Sequence, residues 1–267
     1  SIEVVHTEYD QEAYKARVER WLTSATGGPD VLFWFAGTVL SDFARKGLLY
    51  PIDQLWDDNE WDNTFPDTVR AEVSQGGQVI ALPFSTYHWG IYFRRSLFQE
   101  LDLAPPANWK QFLEVGETLK KEGITPIAVG AEALWPMAAW FDYLNLRTNG
   151  LDFHQKLTAG KVSFLDPRVR KVMERWHELV ERDFFQKNHG QRSWRTALPY
   201  LYRKTAGMML MGGFVKPQFP KRVLADMGVI PFPEINPELP RYENAPTDVF
   251  IIPDNARNKR DAERFLA

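Results

Sequence analysis

Hydrophobic and polar positions alternate in blocks along the first part of the chain. Residues 10–23 (DQEAYKARVERWLT) place Asp10, an N-capping residue type, before an amphipathic helical stretch. Residues 30–37 (DVLFWFAG) form a short continuous apolar run, which is typical of a strand buried on both faces in a parallel sheet. Residues 1–9 (SIEVVHTEY) alternate and are β-branched, so they predict a strand. In chain order, residues 1–9, 10–23 and 30–37 therefore predict a strand–helix–strand unit.

Two later segments carry the clearest helical spacing. Residues 105–123 (PPANWKQFLEVGETLKKEG) predict a helix that is capped by Asn108 and ended by Gly123. Residues 166–182 (DPRVRKVMERWHELVER) predict a second helix, capped by Asp166. The predicted inner faces are Phe112, Val115 and Leu119 in the first helix, and Val169, Val172, Met173, Trp176 and Val180 in the second.

Short apolar runs between the helices predict further strands. They lie at residues 76–84, 124–130, 205–214, 227–233 and 248–253. Ser96, with Gln99 three residues later, predicts a capping box at the start of another helix. Strands that alternate with helices indicate an α/β layer fold. The last helical pattern stops in the middle of an apolar face and the first strand has no preceding partner, so we expect a chain cut at both ends.

The composition narrows the classes of function. The 267 residues are 44% apolar and 25% charged, with a formal net charge of −3, as in a globular protein. No basic patch is visible for nucleic acid, and no run of about 20 apolar residues could span a membrane. The absence of cysteine excludes disulfides, thiolate metal sites and a cysteine nucleophile. Aromatic content of 14%, with 10 Trp, fits either a large aromatic core or platforms for a ligand.

Four ordered motifs resemble one protein family, the extracellular solute-binding proteins of bacterial ABC importers, of the maltose/oligosaccharide-binding (family 1) type. The motifs are GPDVLFWFAGTVLSDFARKGLLYPIDQL, ALPFSTYHWGIYFRRSLFQELDLAPPANWKQFLEVGETLK, TAGMMLMGGFV and FIIPDNARNKRDAERFLA. Each motif alone is weak, but the ordered set covers nearly the whole chain. The resemblance implies an α/β, two-lobed periplasmic-binding-protein fold (type II). Lobe one is then expected at residues 1–84 plus 247–267 and lobe two at 88–245, with hinge crossings at 84–88 and 244–248.

The same resemblance implies a function. We expect a sugar or oligosaccharide to bind in an interlobe cleft for delivery to the membrane subunits of an ABC transporter. The protein is then a monomer at the periplasmic or extracellular face of a bacterial membrane, although no signal peptide is visible in this chain. Two alternatives use the same cleft: a glycoside hydrolase and a ligand-sensing receptor module.

Enzyme signatures are missing. The chain has no G-x-S-x-G elbow, P-loop or H-E-x-x-H motif, and its five histidines are widely spaced. We therefore predict no enzyme activity, no metal and no cofactor. A glycoside hydrolase needs two carboxylates across the scissile bond, and the resemblance directs only Glu132 and Asp248 to the cleft.

Family position indicates the ligand-binding residues, which suit sugars because aromatic faces stack on C–H patches while polar groups bond the hydroxyls. The expected contacts are Trp34, Gly37, Thr38, Tyr87, His88, Trp89, Glu132, Trp135, Gly213, Phe214 and Asp248. Several have a purely structural alternative: Trp34 as strand core, Trp135 as a hydrophobic helix start, and Asp248 as a turn cap. Arg192, Trp194 and Arg195 suggest a cleft-edge loop in lobe two. An arginine there could bind the carboxylate of an acidic sugar or the phosphate of a sugar phosphate, or the loop could be a solvated surface.

Overall fold

The computed structural model describes residues 2–267. The helices in this range are α1 (Gln11–Thr23), α2 (Thr38–Arg45), α3 (Asp53–Asp58), α4 (Asp67–Glu72), α5 (Arg95–Glu100), α6 (Trp109–Lys121), α7 (Trp135–Asn149), α8 (Leu151–Thr158), α9 (Pro167–Glu181), α10 (Trp194–Tyr202), α11 (Lys221–Asp226) and α12 (Lys259–Leu266). Shorter 3-10 segments lie at Trp61–Asn63, His189–Gln191 and Gly213–Gln218. Among these described helices, none has the length and hydropathy needed to cross a bilayer.

The strands within residues 2–267 form three sheets. They are β1 (Leu32–Phe35), β2 (Ser74–Gln75), β3 (Gln78–Val79), β4 (Leu82–Thr86), β5 (Trp89–Arg94), β6 (Thr125–Ile127), β7 (Ala206–Gly212), β8 (Met227–Ile230) and β9 (Thr247–Ile251). The sheet orders are β1-β9-β4, β2-β3 and β6-β7-β5-β8.

The first compact unit comprises Ser1–Thr86 and Pro246–Ala267. Both strand pairs of its β1-β9-β4 sheet are antiparallel. Trp34 of β1 is buried and Phe35 is half-buried, because successive side chains of a strand point to opposite faces. The strand prediction is confirmed here, but the predicted parallel pairing is wrong. The neighbour of β1 is the late strand β9, which runs in the opposite direction.

The strand predicted at residues 1–9 is not found in its described part, residues 2–9. These residues carry no regular secondary structure, and Val4 and Val5 are 58% and 80% exposed. β-Branched residues favour a strand chiefly where they pack on a pleated, half-buried surface. No strand within residues 2–267 pairs with this segment, so its alternating pattern has no sheet to pack against. Ser1 lies outside the described residues.

The second compact unit comprises Tyr87–Ala245. In its mixed sheet β6 runs parallel to β7, and β5 is antiparallel to both β7 and β8. Every residue of the central strand β7 is buried, because helices including α7 and α10 pack against the sheet. Tyr92 and Phe93 of β5 are buried in this core, which confirms the packing role predicted for them.

The predicted cap and inner face of α6 are confirmed. The Oδ1 atom of Asn108 accepts a hydrogen bond from the backbone N–H of Gln111 at 3.0 Å, which satisfies one of the free donors of the first turn. The side chains of Phe112, Val115 and Leu119 are buried. This amphipathic stripe fixes which face of α6 meets the sheet.

The predicted inner face of α9 is partly wrong. Asp166 caps the helix by accepting from the backbone N–H of Arg168 at 2.9 Å, as expected. However, Met173 and Val180 are 48% and 55% exposed, whereas Leu179 is fully buried. The apolar residues of α9 are distributed more widely than one stripe, and the tertiary contacts with α7 select the side that is buried.

The capping box predicted at Ser96 is also wrong. Ser96 is the second residue of α5, and its side chain does not cap the helix. Its backbone N–H and hydroxyl both donate to the carboxylate of Asp226, at 2.8 and 2.5 Å. Arg94 Nε donates to the same carboxylate at 2.6 Å. A distant acidic residue therefore takes the role that Gln99 was expected to fill.

Candidate functional site

Five side chains of the Tyr87–Ala245 unit form what we call the aromatic cluster: Tyr87, Trp89, Trp135, Trp194 and Phe214. The Phe214 ring lies at its centre, with centroid distances of 5.2 Å to Tyr87, 6.0 Å to Trp89, 6.0 Å to Trp135 and 5.6 Å to Trp194. The four ring pairs are inclined by 66° to 89°, the edge-to-face geometry that aromatic quadrupoles favour. The fold thus brings together four residues predicted to contact a ligand, and adds Trp194.

The rings of the cluster divide into a buried and a half-buried set. Trp89 and Trp194 are 8% and 7% exposed, whereas Tyr87, Trp135 and Phe214 are half-buried. The indole N–H groups of Trp89 and Trp135 are buried with no acceptor within residues 2–267. A buried donor without an acceptor costs about 1–3 kcal/mol. Because no hydrogen bond holds these two indoles, the packing of their rings must offset that cost. The half-buried rings retain apolar surface that a ligand can contact.

Gly212 allows Phe214 to fold back onto the end of the sheet. Trp89 of β5 pairs with Gly212 of β7, and the backbone N–H of Gly213 donates to the carbonyl of His88 at 2.9 Å. A Cβ atom at position 212 would lie 2.4 Å from Cε1 of Phe214, far inside van der Waals contact. The glycine is therefore required for the central ring to occupy its position.

Gly130 brings the starts of α7 and α10 together. A Cβ atom at this position would lie 2.2 Å from the backbone oxygen of Ser193, so only glycine permits this approach of two backbones. Beyond it, the Glu132 N–H donates to the carbonyl of Arg192 at 3.0 Å. The result is a centroid distance of 6.2 Å between Trp135 and Trp194, which are the first residues of their helices.

Leu134 adopts an unfavourable conformation directly before α7. Its φ is +63°, in the left-handed region that costs a non-glycine residue about 1–3 kcal/mol. The side chain is 73% exposed, so no burial offsets this cost. Strain of this kind concentrates at functional sites, and here it fixes the direction in which Trp135 enters the helix.

Two polar residues predicted for the site, His88 and Glu132, are exposed beside the aromatic cluster. They are bound to the scaffold through their backbones: the His88 carbonyl accepts from Gly213, and the Glu132 N–H donates to Arg192. Within residues 2–267, neither side chain makes a hydrogen bond or ion pair. An imidazole and a carboxylate are thus available to the hydroxyl groups of a ligand.

The remaining predicted residues belong to the first unit. Trp34 is 8% exposed and packs on Phe35 at a centroid distance of 5.7 Å, so its ring is part of the core. Gly37, with φ +115°, precedes α2, whose first residue Thr38 is exposed. Asp248 is half-buried on β9, opposite Phe35. Ligand contact by these residues stays a prediction.

A buried hydroxyl joins two segments next to the aromatic cluster. Tyr143 Oη lies 3.1 Å from the Trp89 carbonyl and 3.1 Å from Oε2 of Glu243, and it accepts from the Asn244 N–H at 3.2 Å. Arg147 Nη2 donates to the other carboxylate oxygen of Glu243 at 2.5 Å. Burial, followed by the negative charge of Glu243, raises the pKa of Tyr143 strongly, so this hydroxyl keeps its proton.

A second titratable pair joins α7 and α8 and includes no residue of the aromatic cluster. Burial raises the pKa of Asp142 to about 6, and its Oδ1 lies 4.0 Å from Nε2 of His154. Burial also lowers the pKa of His154. Because the folded state holds the Asp142 proton more tightly than the unfolded chain, the carboxylate destabilises the fold as the pH rises from about 4 to above 6.

The sequence interpretation placed Gly212 in a candidate ligand loop and Trp194 on a cleft-edge loop, but it gave neither a role in assembling the cluster, and it gave Gly130 no role at all. A signal existed for each. Trp194 follows Ser193, which caps α10 by accepting from the Thr196 N–H at 3.2 Å. A glycine inside an apolar strand pattern commonly marks a close backbone approach. No group of three or more potential metal-ligating side chains occurs within residues 2–267.

The chain matches one known protein family. The family model described as bacterial extracellular solute-binding protein matches residues 3–267. An uncharacterized ABC transporter extracellular-binding protein of Pyrococcus horikoshii is 26% identical over 245 residues, which are 90% of this chain and 54% of the relative. A probable sugar-binding periplasmic protein of Rhizobium meliloti is 25% identical over 193 residues, 69% of this chain and 44% of the relative. The chain thus spans about half the length of these curated relatives.

Solved structures agree on the fold. The bacterial solute receptor AcbH, described as having an exclusive substrate preference for β-D-galactopyranose, superposes with a TM-score of 0.90 at 34% identity, covering 97% of this chain and 65% of that one. A structure from work on xylan utilization by Caldanaerobius polysaccharolyticus has a TM-score of 0.91 at 21% identity, with coverage of 98% and 68%. The predicted α/β periplasmic-binding-protein fold is confirmed.

Proposed function

The chain belongs to the bacterial extracellular solute-binding protein family, and we propose that it binds a carbohydrate at the aromatic cluster for uptake by an ABC transporter. One observation carries the proposal: three half-buried rings, Tyr87, Trp135 and Phe214, lie together beside the exposed side chains of Glu132 and His88. A pyranose needs this combination, because it has apolar C–H faces and hydroxyl edges.

Two relatives support a sugar as the ligand class. AcbH is described as preferring β-D-galactopyranose, and the Rhizobium meliloti relative is described as a probable sugar-binding protein. Galactose is therefore the first ligand to test. The predicted lack of enzyme activity agrees with family membership, since solute-binding proteins are non-enzymatic components of transport systems.

The remaining expected properties form part of the same proposal. Residues Gly37, Thr38 and Asp248 of the first unit are further proposed contacts, as is the small exposed part of Trp34, whose ring packs mainly in the core. Gly213 lets the backbone approach the ligand. Residues 84–88 and 244–248 are the proposed hinge crossings. The location is the periplasm or the extracellular face of a bacterial membrane, and the partners are the membrane subunits of the transporter.

The test is a calorimetric titration of the chain with D-galactose, maltose and xylobiose, with product analysis of each mixture. We expect saturable binding of one of these sugars without hydrolysis. Trp135→Ala should weaken that binding about tenfold or more, because it removes a ring that the ligand contacts. Phe164→Ala is the matched control, since Phe164 is 60% exposed and lies outside the aromatic cluster. Equal affinities of the two variants would refute the assignment of the site, and hydrolysis would favour the glycoside hydrolase alternative.

A further inference from the structure

A polar pocket of about 270 Å³ lies in the Tyr87–Ala245 unit, and it shares no residue with the aromatic cluster. We call it the Gln186 pocket; its lining includes Thr125, Asp183, Gln186, Lys187, Arg192 and Tyr200. It lies along the edge strand β6, because the backbone N–H of Gln186 donates to the carbonyl of Ile127 at 3.0 Å. At about 30 Å³ per water molecule, its volume corresponds to roughly nine waters, which suits a ligand of about that many heavy atoms or a few more.

Gln186 is the most unusual residue of this pocket. Its side chain is only 3% exposed, yet both the amide nitrogen and the amide oxygen are buried without a hydrogen-bond partner within residues 2–267. Buried polar atoms are nearly always paired, and leaving one unpaired is costly. A primary amide both donates and accepts. The group that satisfies it must therefore supply an acceptor and a donor together.

Arg192 adds a positive charge that nothing in the described chain neutralises. Its guanidinium carbon lies 5.2 Å from the ring centroid of Tyr200, its Nε is buried without an acceptor, and no ion pair forms with it within residues 2–267. A guanidinium only donates, and its planar fork matches a carboxylate. Lys187 and Asp183 contribute opposite charges to the lining, so the pocket keeps one excess positive charge.

We propose that the Gln186 pocket binds a small hydroxycarboxylate, such as a sugar acid of about six carbons, independently of the carbohydrate site. The carboxylate pairs with Arg192, which is held against the Tyr200 ring. A neighbouring hydroxyl donates to the Gln186 amide oxygen and accepts from its nitrogen. Inorganic phosphate carries the charge but no hydroxyl beside a carboxylate, and a neutral hexose carries hydroxyls but no charge, so both bind more weakly than the acid.

The experiment is a calorimetric titration of the whole chain with sodium D-gluconate, inorganic phosphate and D-galactose, each up to about 10 mM, which exceeds the dissociation constant of a millimolar site. Among the ligands whose binding is weakened by Gln186→Leu, we expect gluconate to have the highest affinity. Gln186→Leu should weaken gluconate binding about tenfold or more, and so should Arg192→Gln. Gln186→Leu should also raise the unfolding midpoint without ligand, because it replaces an unpaired buried amide with an apolar group of similar size. Arg203→Gln, an exposed arginine after α10 and outside the pocket lining, is the charge-matched control.

The outcomes separate this proposal from the carbohydrate site. Loss of gluconate binding in Gln186→Leu and Arg192→Gln, with binding retained in Trp135→Ala and Arg203→Gln, supports it. Gluconate binding that is lost in Trp135→Ala but kept in Gln186→Leu overturns it and assigns the acid to the aromatic cluster. No gluconate binding, or phosphate binding tighter than gluconate binding, also overturns it. None of these results bears on whether D-galactose binds at the aromatic cluster.

Discussion

Gly130→Ala is the substitution that should most directly disturb the packing of the aromatic cluster. It adds a methyl group that overlaps the backbone of Ser193 and Trp194. The new Cβ would lie 2.2 Å from the Ser193 oxygen, 2.4 Å from its carbonyl carbon and 2.6 Å from the Trp194 nitrogen. All three are backbone atoms, so no side-chain rotation can relieve the overlap. The two segments must move apart by about 1.2 Å or more to reach ordinary van der Waals contact, which begins at 3.4 Å.

The expected cost follows from two contributions. Overpacking in a well-packed region costs about 1–3 kcal/mol, and the upper end applies because rigid backbone meets the new methyl. The separation also strains two hydrogen bonds, from Ala131 N–H to His189 O at 2.9 Å and from Glu132 N–H to Arg192 O at 3.0 Å. Each is worth about 0.5–1.5 kcal/mol. We expect a total destabilisation of about 4 kcal/mol, of which about 3 comes from overpacking and about 1 from the two strained hydrogen bonds.

The assay is urea unfolding followed by tryptophan fluorescence, with the carbohydrate titration on the same sample. The free energy of unfolding should fall by the stated amount, and sugar affinity should also fall because Trp194 moves away from Trp135. Gly190→Ala is the matched control: it changes the neighbouring turn, but its new Cβ has no atom within 4 Å, so the effect should stay within about 0.5 kcal/mol. If Gly130→Ala were as mild as Gly190→Ala, the close backbone approach could not be what assembles the cluster.

Three further predictions test particular groups by urea unfolding. Tyr143→Phe removes a donor from the Glu243 carboxylate and should destabilise the protein by about 1–3 kcal/mol; a change near zero would show that the hydroxyl contributes nothing. Asp142→Asn should stabilise by about 1–2 kcal/mol at pH 7, a value reduced for partial exposure, and leave stability unchanged near pH 4. An equal effect at both pH values would exclude its raised pKa as the cause. Asn108→Ala should destabilise by about 1 kcal/mol through loss of the bond to Gln111, whereas Asn108→Ser should retain most of the stability; equal losses in both variants would contradict the cap.

Parts of the candidate site could be predicted from residue type and position along the chain. Trp89, Trp135 and Phe214 were expected as ligand contacts because of their positions in the family resemblance, and each is an aromatic residue in or shortly after an apolar run that predicts a strand. The role of Trp34 could not be decided in this way. The same ring serves as core or as a platform, depending on whether a neighbour such as Phe43, at a centroid distance of 5.5 Å, covers it.

Local interactions explain what the sequence determined by itself. The cap at Asn108, the stripe from Phe112 to Leu119 and the cap at Asp166 involve residues within a few positions of one another, so the pattern alone encodes them. The same reasoning identified most of the strands as strands. It also identified the class of fold, because alternation of strands and helices is visible along the chain.

Contacts between distant positions were decided by the tertiary structure. β1 pairs with β9 although more than 200 residues separate them, and the carboxylate of Asp226 binds Ser96 across 130 positions. The need for glycine at position 130 exists only because the Ser193 backbone packs against it. Such contacts depend on which surfaces meet in the folded chain, and periodicity within a short window carries no information about a partner so far away.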